Sequence, residues 1–201
     1  GQRSFCSGAD LKASVSGERS SQSATGGFRD FNDAIGDPTA GATFVREPLG
    51  PSSRRGPFVI SEIMYNPKRP LGFNGSLEWI ELFNSQAWDE DIGGYRISGA
   101  IDYTFPSGTI FKSGAFLVIA REPASVQTFY GISGVFGPWE GAATNGLPND
   151  AGLLRLRGRA DEVLYEVEYT DRAPWPEAAD GAGHSLVLAR PSFGEADPRS
   201  W

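Results

Sequence analysis

Residues 58–84 read FVISEIMYNPKRPLGFNGSLEWIELFN, from Phe58 to Asn84. Two apolar runs, Val59–Tyr65 and Glu78–Asn84, flank a loop that contains Asn66, Pro67, Pro70, Gly72, Asn74 and Gly75. Apolar runs this short, rich in β-branched and aromatic residues and bounded by Pro, Gly and Asn, form strands rather than helices. Each run also carries glutamate: Glu62 in the first, Glu78 and Glu81 in the second. Alternation along a strand puts Glu62 on the face of Ile60 and Met64. It puts Glu81 on the face of Trp79 and Phe83, and Glu78 on that of Ile80 and Leu82.

The same grammar continues towards the C-terminus. Strands are expected at Tyr95–Ser98, Asp102–Phe105, Thr109–Phe111, Phe116–Ala120, Leu153–Leu156, Val163–Tyr169 and Ser185–Ala189. Lys112-Ser113-Gly114 reads as a hairpin turn. In Val163–Tyr169, Val163, Tyr165, Val167 and Tyr169 alternate with Glu166 and Glu168, so one face is buried and the other wet. Glu122–Tyr130 breaks the two-residue period. Pro123 suits a first helical position and Gly131 a stop, which predicts one short helix. Ala173-Pro174-Trp175-Pro176 is excluded from a central strand. Eight or nine short strands at this spacing predict an all-β sandwich or barrel.

Composition narrows the function. The chain has 201 residues with 18 Lys+Arg against 25 Asp+Glu, a net charge of −7. That balance argues against nucleic acid, whose phosphates call for clustered cations. No run of eighteen apolar residues offers a membrane span. A single cysteine, Cys6, excludes an intrachain disulfide. Gly1 in place of an initiator Met suggests an excised piece of a longer chain. Residues 1–57 hold seven Lys/Arg and six Asp/Glu, a serine-rich run from Ser14 to Thr25 and few apolar residues. They read as a linker or extended segment, with Leu11–Val15, Gly27–Phe31 and Thr43–Val45 as short strands or extended pieces, and Thr25-Gly26-Gly27-Phe28-Arg29-Asp30 resembles the remnant of an upstream strand-rich repeat. Gly50–Pro57 is the boundary, and 58–201 is the domain.

Several ordered blocks together resemble one family. Ile60, Glu62, Ile63, Met64, Tyr65, Asn66 and Pro67, then EWIELFN, GGYRIS and FPSGTIFKSGAFLVIA, are similar to the bacterial lamin-tail domain. LPNDAGLLRL, VEYTDRAPWP, ADGAGHSLVL and DPRSW extend the resemblance over residues 58–201. It implies an immunoglobulin-like β-sandwich without catalysis, set beside other modules in a large exported or cell-surface bacterial protein. It leaves a protein or polysaccharide partner unspecified.

Four constellations could carry chemistry. Glu62 and Glu81 could be the acid and base of a hydrolase. We read them instead as structural carboxylates, paired with Arg96 on a neighbouring strand or hydrogen-bonded to backbone at a sheet edge. Asp89-Glu90-Asp91 could bind calcium with backbone carbonyls, or serve a carbohydrate-binding module, but lacks the spaced D-x-D-x-D-G pattern. A solvated acidic loop explains it as well. Trp88, Trp139 and Trp175 could form a sugar- or peptide-stacking surface, whereas Trp79 and Trp175 could instead cap the sandwich. His184 is the sole histidine, too little for zinc, and no G-x-S-x-G turn accompanies it. Apart from calcium, no cofactor is expected.

Overall fold

The structure is a computed structural model that describes residues 47, 49, 57–141 and 146–201. The strands expected upstream of Glu47 lie outside the described residues. In chain order the elements are β1 Phe58–Met64, β2 Trp79–Asn84, β3 Glu90–Asp91, β4 Arg96–Gly99, β5 Ile101–Thr104, β6 Ile110–Phe111 and β7 Phe116–Ala120. Helix α1 Pro123–Tyr130 follows, then β8 Glu140–Gly141, β9 Ala151–Arg157, β10 Val163–Thr170 and β11 Leu186–Val187. Short 3-10 turns lie at Glu177–Ala179, Pro191–Phe193 and Pro198–Ser200. The architecture is the expected all-β, immunoglobulin-like sandwich. One sheet has the order β11-β1-β2-β7, the other β10-β9-β4-β5-β8, and β3 and β6 form a separate two-stranded ribbon. The strand pairs are antiparallel.

Lys112-Ser113-Gly114 is a turn but not a hairpin. β6 pairs with β3 and β7 with β2, so the two flanking strands belong to different sheets. The cause is Asn84. Its N–H donates to Ala115 O at 3.0 Å and its carbonyl accepts from Gly114 N at 3.0 Å, which delivers Phe116 to the edge of β2.

The space between the sheets is filled by Ile60, Ile63, Tyr65, Ile80 and Leu82 from one side, and Ile97, Leu154, Leu156, Tyr165 and Val167 from the other. A second apolar cluster lies on the opposite side of the four-stranded sheet. There Met64, Trp79, Val118 and Ala120 meet Leu77 and, from α1, Val126 and Tyr130. The Trp79 and Tyr130 rings meet edge to face, with centroids 6.3 Å apart. α1 begins at Pro123 and stops at Gly131, whose left-handed backbone (φ 66°) lets its N–H reach Gln127 O at 2.8 Å. Covered on both sides, β1 and β7 are buried along their whole length. That is why their sequences read as continuous apolar runs rather than alternation.

One bulge reshapes the face assignment. The β1–β2 register passes from Ile60↔Leu82 to Glu62↔Glu81, so Ser61 is an extra residue. Ile60 and Ile63, three apart, therefore both face the interior. Glu62 leaves the face of Ile60 and joins that of Met64, which corrects the simple alternation. A second bulge, between Val163 and Tyr165, likewise removes Val163 from the buried row, and it is 43% exposed.

Candidate functional site

The bulge at Ser61 brings the two strand glutamates into register. Glu62 and Glu81 stand directly opposite on β1 and β2, and both are completely buried at 0% exposure. Carboxyl groups buried this deeply need hydrogen-bond donors. The Ser61 hydroxyl donates to Glu81 Oε1 at 2.6 Å, and the Ser185 hydroxyl donates to Glu62 Oε1. Ser185, just ahead of β11, reaches the pair because Ile63 registers with Leu186 and Glu62 with Val187, and Leu188 N–H bonds to Ser61 O at 3.0 Å. A hydrolytic pair must reach a substrate across a cleft. These two carboxylates are inside the packing.

Arg96 does not join them. It lies on β4, in the other sheet, and its guanidinium grips Asp102 on β5, with Nε 2.8 Å from Oδ1 and Nη2 on the second oxygen. That contact holds the Asp102 carboxyl below the ordinary carboxylate range, and Asp102 in turn raises the Arg96 guanidinium. The expected pairing of Arg96 with a strand glutamate is therefore corrected: its partner is Asp102. A hairpin between β4 and β5 makes that contact local, whereas the glutamates lie across the sandwich.

Glu78 is anchored differently, just ahead of β2. Its carboxylate accepts from Arg121 Nη1 at 2.8 Å and from Leu147 N–H at 2.8 Å, tying three segments together.

The acidic stretch is strand, not loop, since Glu90 and Asp91 form β3. Asp89 accepts from Lys112 Nζ at 2.7 Å and Ser113 N–H at 2.9 Å, which lower its carboxyl below the usual range. Asp91 Oδ1 accepts from Gly93 N–H at 2.8 Å and lies 3.3 Å from Arg159 Nη2. These aspartates are engaged with cations and amides of the chain itself. Among the described residues, no group of three or more His, Cys, Asp or Glu side chains is arranged to hold a metal ion.

The three tryptophans do not share a surface. Trp88 is 60% exposed, Trp139 is 3% and Trp175 is 7%. Trp139 belongs to the inter-sheet core, and Trp175 packs against Trp201 with ring centroids 5.9 Å apart. Both are structural, which corrects the binding-surface reading for them. Only Trp88 of the three presents a broad open face. It rides on a loop pinned by buried Asn84, whose Nδ2 donates to Trp88 O at 3.2 Å and Phe111 O at 2.9 Å. His184 sits half-buried between Gly183 and Ser185.

Sequence reasoning missed Ser61, Ser185 and Asn84. A buried serine beside a glutamate in an apolar run is a usable signal for Ser61, since each would need a polar partner. Ser185 carries no such signal, because it meets Glu62 only when β11 docks on β1.

The sequence profile of the Lamin Tail Domain matches residues 51–171, more than half of the chain. No curated protein matches it. The folded unit runs past the matched segment, because β11 closes the edge of β1, and Leu186 and Leu188 are part of the core. On the profile match and the immunoglobulin-like sandwich together, the chain belongs to the lamin tail domain family.

Proposed function

We propose that this chain serves as a non-catalytic interaction or structural module within a larger exported or cell-surface bacterial protein. The observation that carries this reading is the burial of Glu62 and Glu81, its strongest candidates for acid–base chemistry, at 0% exposure in a module of the lamin tail family. Its partner is a protein or polysaccharide, or a neighbouring module of the same polypeptide.

The test has two arms. Protein incubated with ester, glycoside and phosphate reporter substrates should give no turnover above a boiled control, and antibody should label intact cells of the source organism. Turnover abolished by Glu81→Gln in a still-folded protein would make it an enzyme. Labelling only after cell lysis would remove the exported setting. Retention on insoluble polysaccharide that disappears with Trp88→Ala would make it a carbohydrate-binding module instead.

The fold in this reading needs no divalent cation, because Asp89 and Asp91 are already met by Lys112, Arg159 and backbone amides. Thermal melts with and without chelator should overlay. A drop of many degrees restored by Ca²⁺ would identify a bound ion that stabilises the native state by mass action.

A further inference from the structure

A sheet edge offers unpaired N–H and C=O groups to any extended chain, and folded proteins usually blunt such edges. Among the described residues, the edges of the two sheets other than β10 are short or covered. β11 is two residues long, and beyond it the N–H groups of Ala189 and Arg190 both bond to Ser200 O, at 2.7 and 2.9 Å. The free side of β7 takes up Phe136, which donates to Val118 O at 2.8 Å and accepts from Ala120 N–H at 2.9 Å. β8 has two residues.

β10 is different. It is eight residues long, pairs only with β9 among the described strands, and contains no Pro, Gly or Lys. Its hydrogen-bond phase follows from two bonds. Asp171 N–H donates to Asp150 O at 3.0 Å, continuing the β10–β9 register. Ala100 N–H takes Leu153 O at 2.7 Å, so Leu153 points towards β4 rather than β10. Alternation then turns the main-chain groups of Tyr165, Val167 and Tyr169 towards β9 and those of Glu166 and Glu168 outward. Among the described residues no backbone hydrogen bond closes that outer side.

We propose that the open edge of β10 docks an extended, basic segment of another polypeptide, which adds to the five-stranded sheet as a further strand. This inference rests on the interaction-module reading and names its partner's chemistry. Strand addition takes its affinity from the main chain and its selectivity from alternate side chains. Here those side chains are acidic. Glu168 is exposed with no ion pair among the described residues, and Glu166 shares its charge with Arg155 at 2.6 Å. A second copy of this chain is a poor occupant. Antiparallel pairing of β10 with itself sets glutamates against glutamates, which repel when directly opposite, and each copy carries a net charge of −7. Lysine or arginine at every second position is the complementary pattern.

The test uses the full chain and a short blocked peptide of alternating lysine and valine. The expected result is saturable binding, with hydrogen-exchange protection gained at the Glu166 and Glu168 amides. Glu168→Pro removes an outward N–H at an edge position that tolerates proline, and should abolish binding while the melt and circular dichroism stay native. Glu168→Lys should bind the lysine peptide about ten-fold more weakly and gain affinity for a peptide alternating glutamate and valine. If Glu168→Pro fails to fold, Glu168→Lys decides the matter. The proposal fails if the wild-type chain ignores the lysine peptide, binds the glutamate peptide equally well, or gains protection away from β10. It also fails if folded Glu168→Pro still binds, or if the wild-type chain forms a dimer that Glu168→Pro dissolves. None of these outcomes bears on turnover or cell labelling, so the module reading stands or falls separately.

Discussion

The two sheets of this sandwich treat their outward faces in opposite ways. Outside the four-stranded sheet, Met64, Trp79 and Val118 lie in a dry layer with α1, and Glu62 and Glu81 are sealed beside them with serine hydroxyls as donors. Outside the five-stranded sheet, charge is paired at the water boundary: Arg96 with Asp102, and Arg155 with Glu166 at 2.6 Å. A carboxylate therefore means something different on each face. In the dry layer its hydrogen bonds decide stability, because losing one strands a buried polar group. In the wet layer solvent and salt screen the pair, and side-chain entropy offsets much of what remains.

Mutations can break this contrast. The largest effect is expected at Trp79, which is wholly buried against Tyr130 and Val126. Trp79→Ala should destabilise the chain by about 3–5 kcal/mol in urea unfolding. A loss below that of an average surface change would mean that the helix layer does not hold the sheet.

Glu81→Ala comes next. It removes the buried Ser61 hydroxyl's shorter acceptor, at 2.6 Å, and leaves it only the Glu81 main-chain carbonyl at 3.4 Å, so a loss of about 1–3 kcal/mol follows from a poorly satisfied buried donor. An unchanged denaturation midpoint would show that the carboxylate carries no structural weight.

Removing everything before Gly56 should cost less, no more than about 2 kcal/mol. Among the described residues before Pro57, Leu49 packs on the core, and Glu47 donates its N–H to Ala189 O at 2.9 Å and accepts from the Ser192 hydroxyl at 2.8 Å. The shortened chain should unfold cooperatively with β-type circular dichroism. Insolubility would show that the leading segment belongs to the folding unit.

The smallest effect is on the wet face. Asp102→Asn should change stability by less than about 1 kcal/mol near neutral pH, since both partners are almost half exposed and screened. Its sign with pH is determinate. Arg96 lowers the folded carboxyl below its unfolded value, so the contribution is complete above the ordinary carboxylate range and disappears as pH falls through the lowered value. The wild-type and Asp102→Asn stability curves should therefore converge in acid. A gap that widened there would overturn the assignment.

Much of this arrangement was legible in the residues. The apolar runs around Ile60 and Ile80, the helix stop at Gly131 and the alternation of Tyr165, Val167 and Tyr169 each report a local period or a local turn, and each appears in the fold. The two-residue strands β3 and β8 did not announce themselves, because Glu90-Asp91 and Glu140-Gly141 are residue types depleted in strands, unlike the apolar pairs of β6 and β11. The candidate site was legible only as a set of residue types. Glu62 and Glu81 were visible as charge inside apolar sequence, but the bulge that sets them opposite each other contains neither Gly nor Pro and leaves no local mark.

Sequence alone determined the all-β class, the run of short strands after Phe58, the helix at Pro123–Tyr130 and the acidic net charge of −7. All of these follow from composition and from periods shorter than one element. Tertiary structure decided the rest: that Arg96 reaches Asp102 and not a strand glutamate, that Ser185 from the far end of the chain meets Glu62, and that Trp139 and Trp175 are covered while Trp88 is not. Each of these depends on which strand lies beside which and on what closes over a face. Burial and pairing are properties of the packed chain, and residues far apart in sequence acquire their chemistry only when the sheets bring them together.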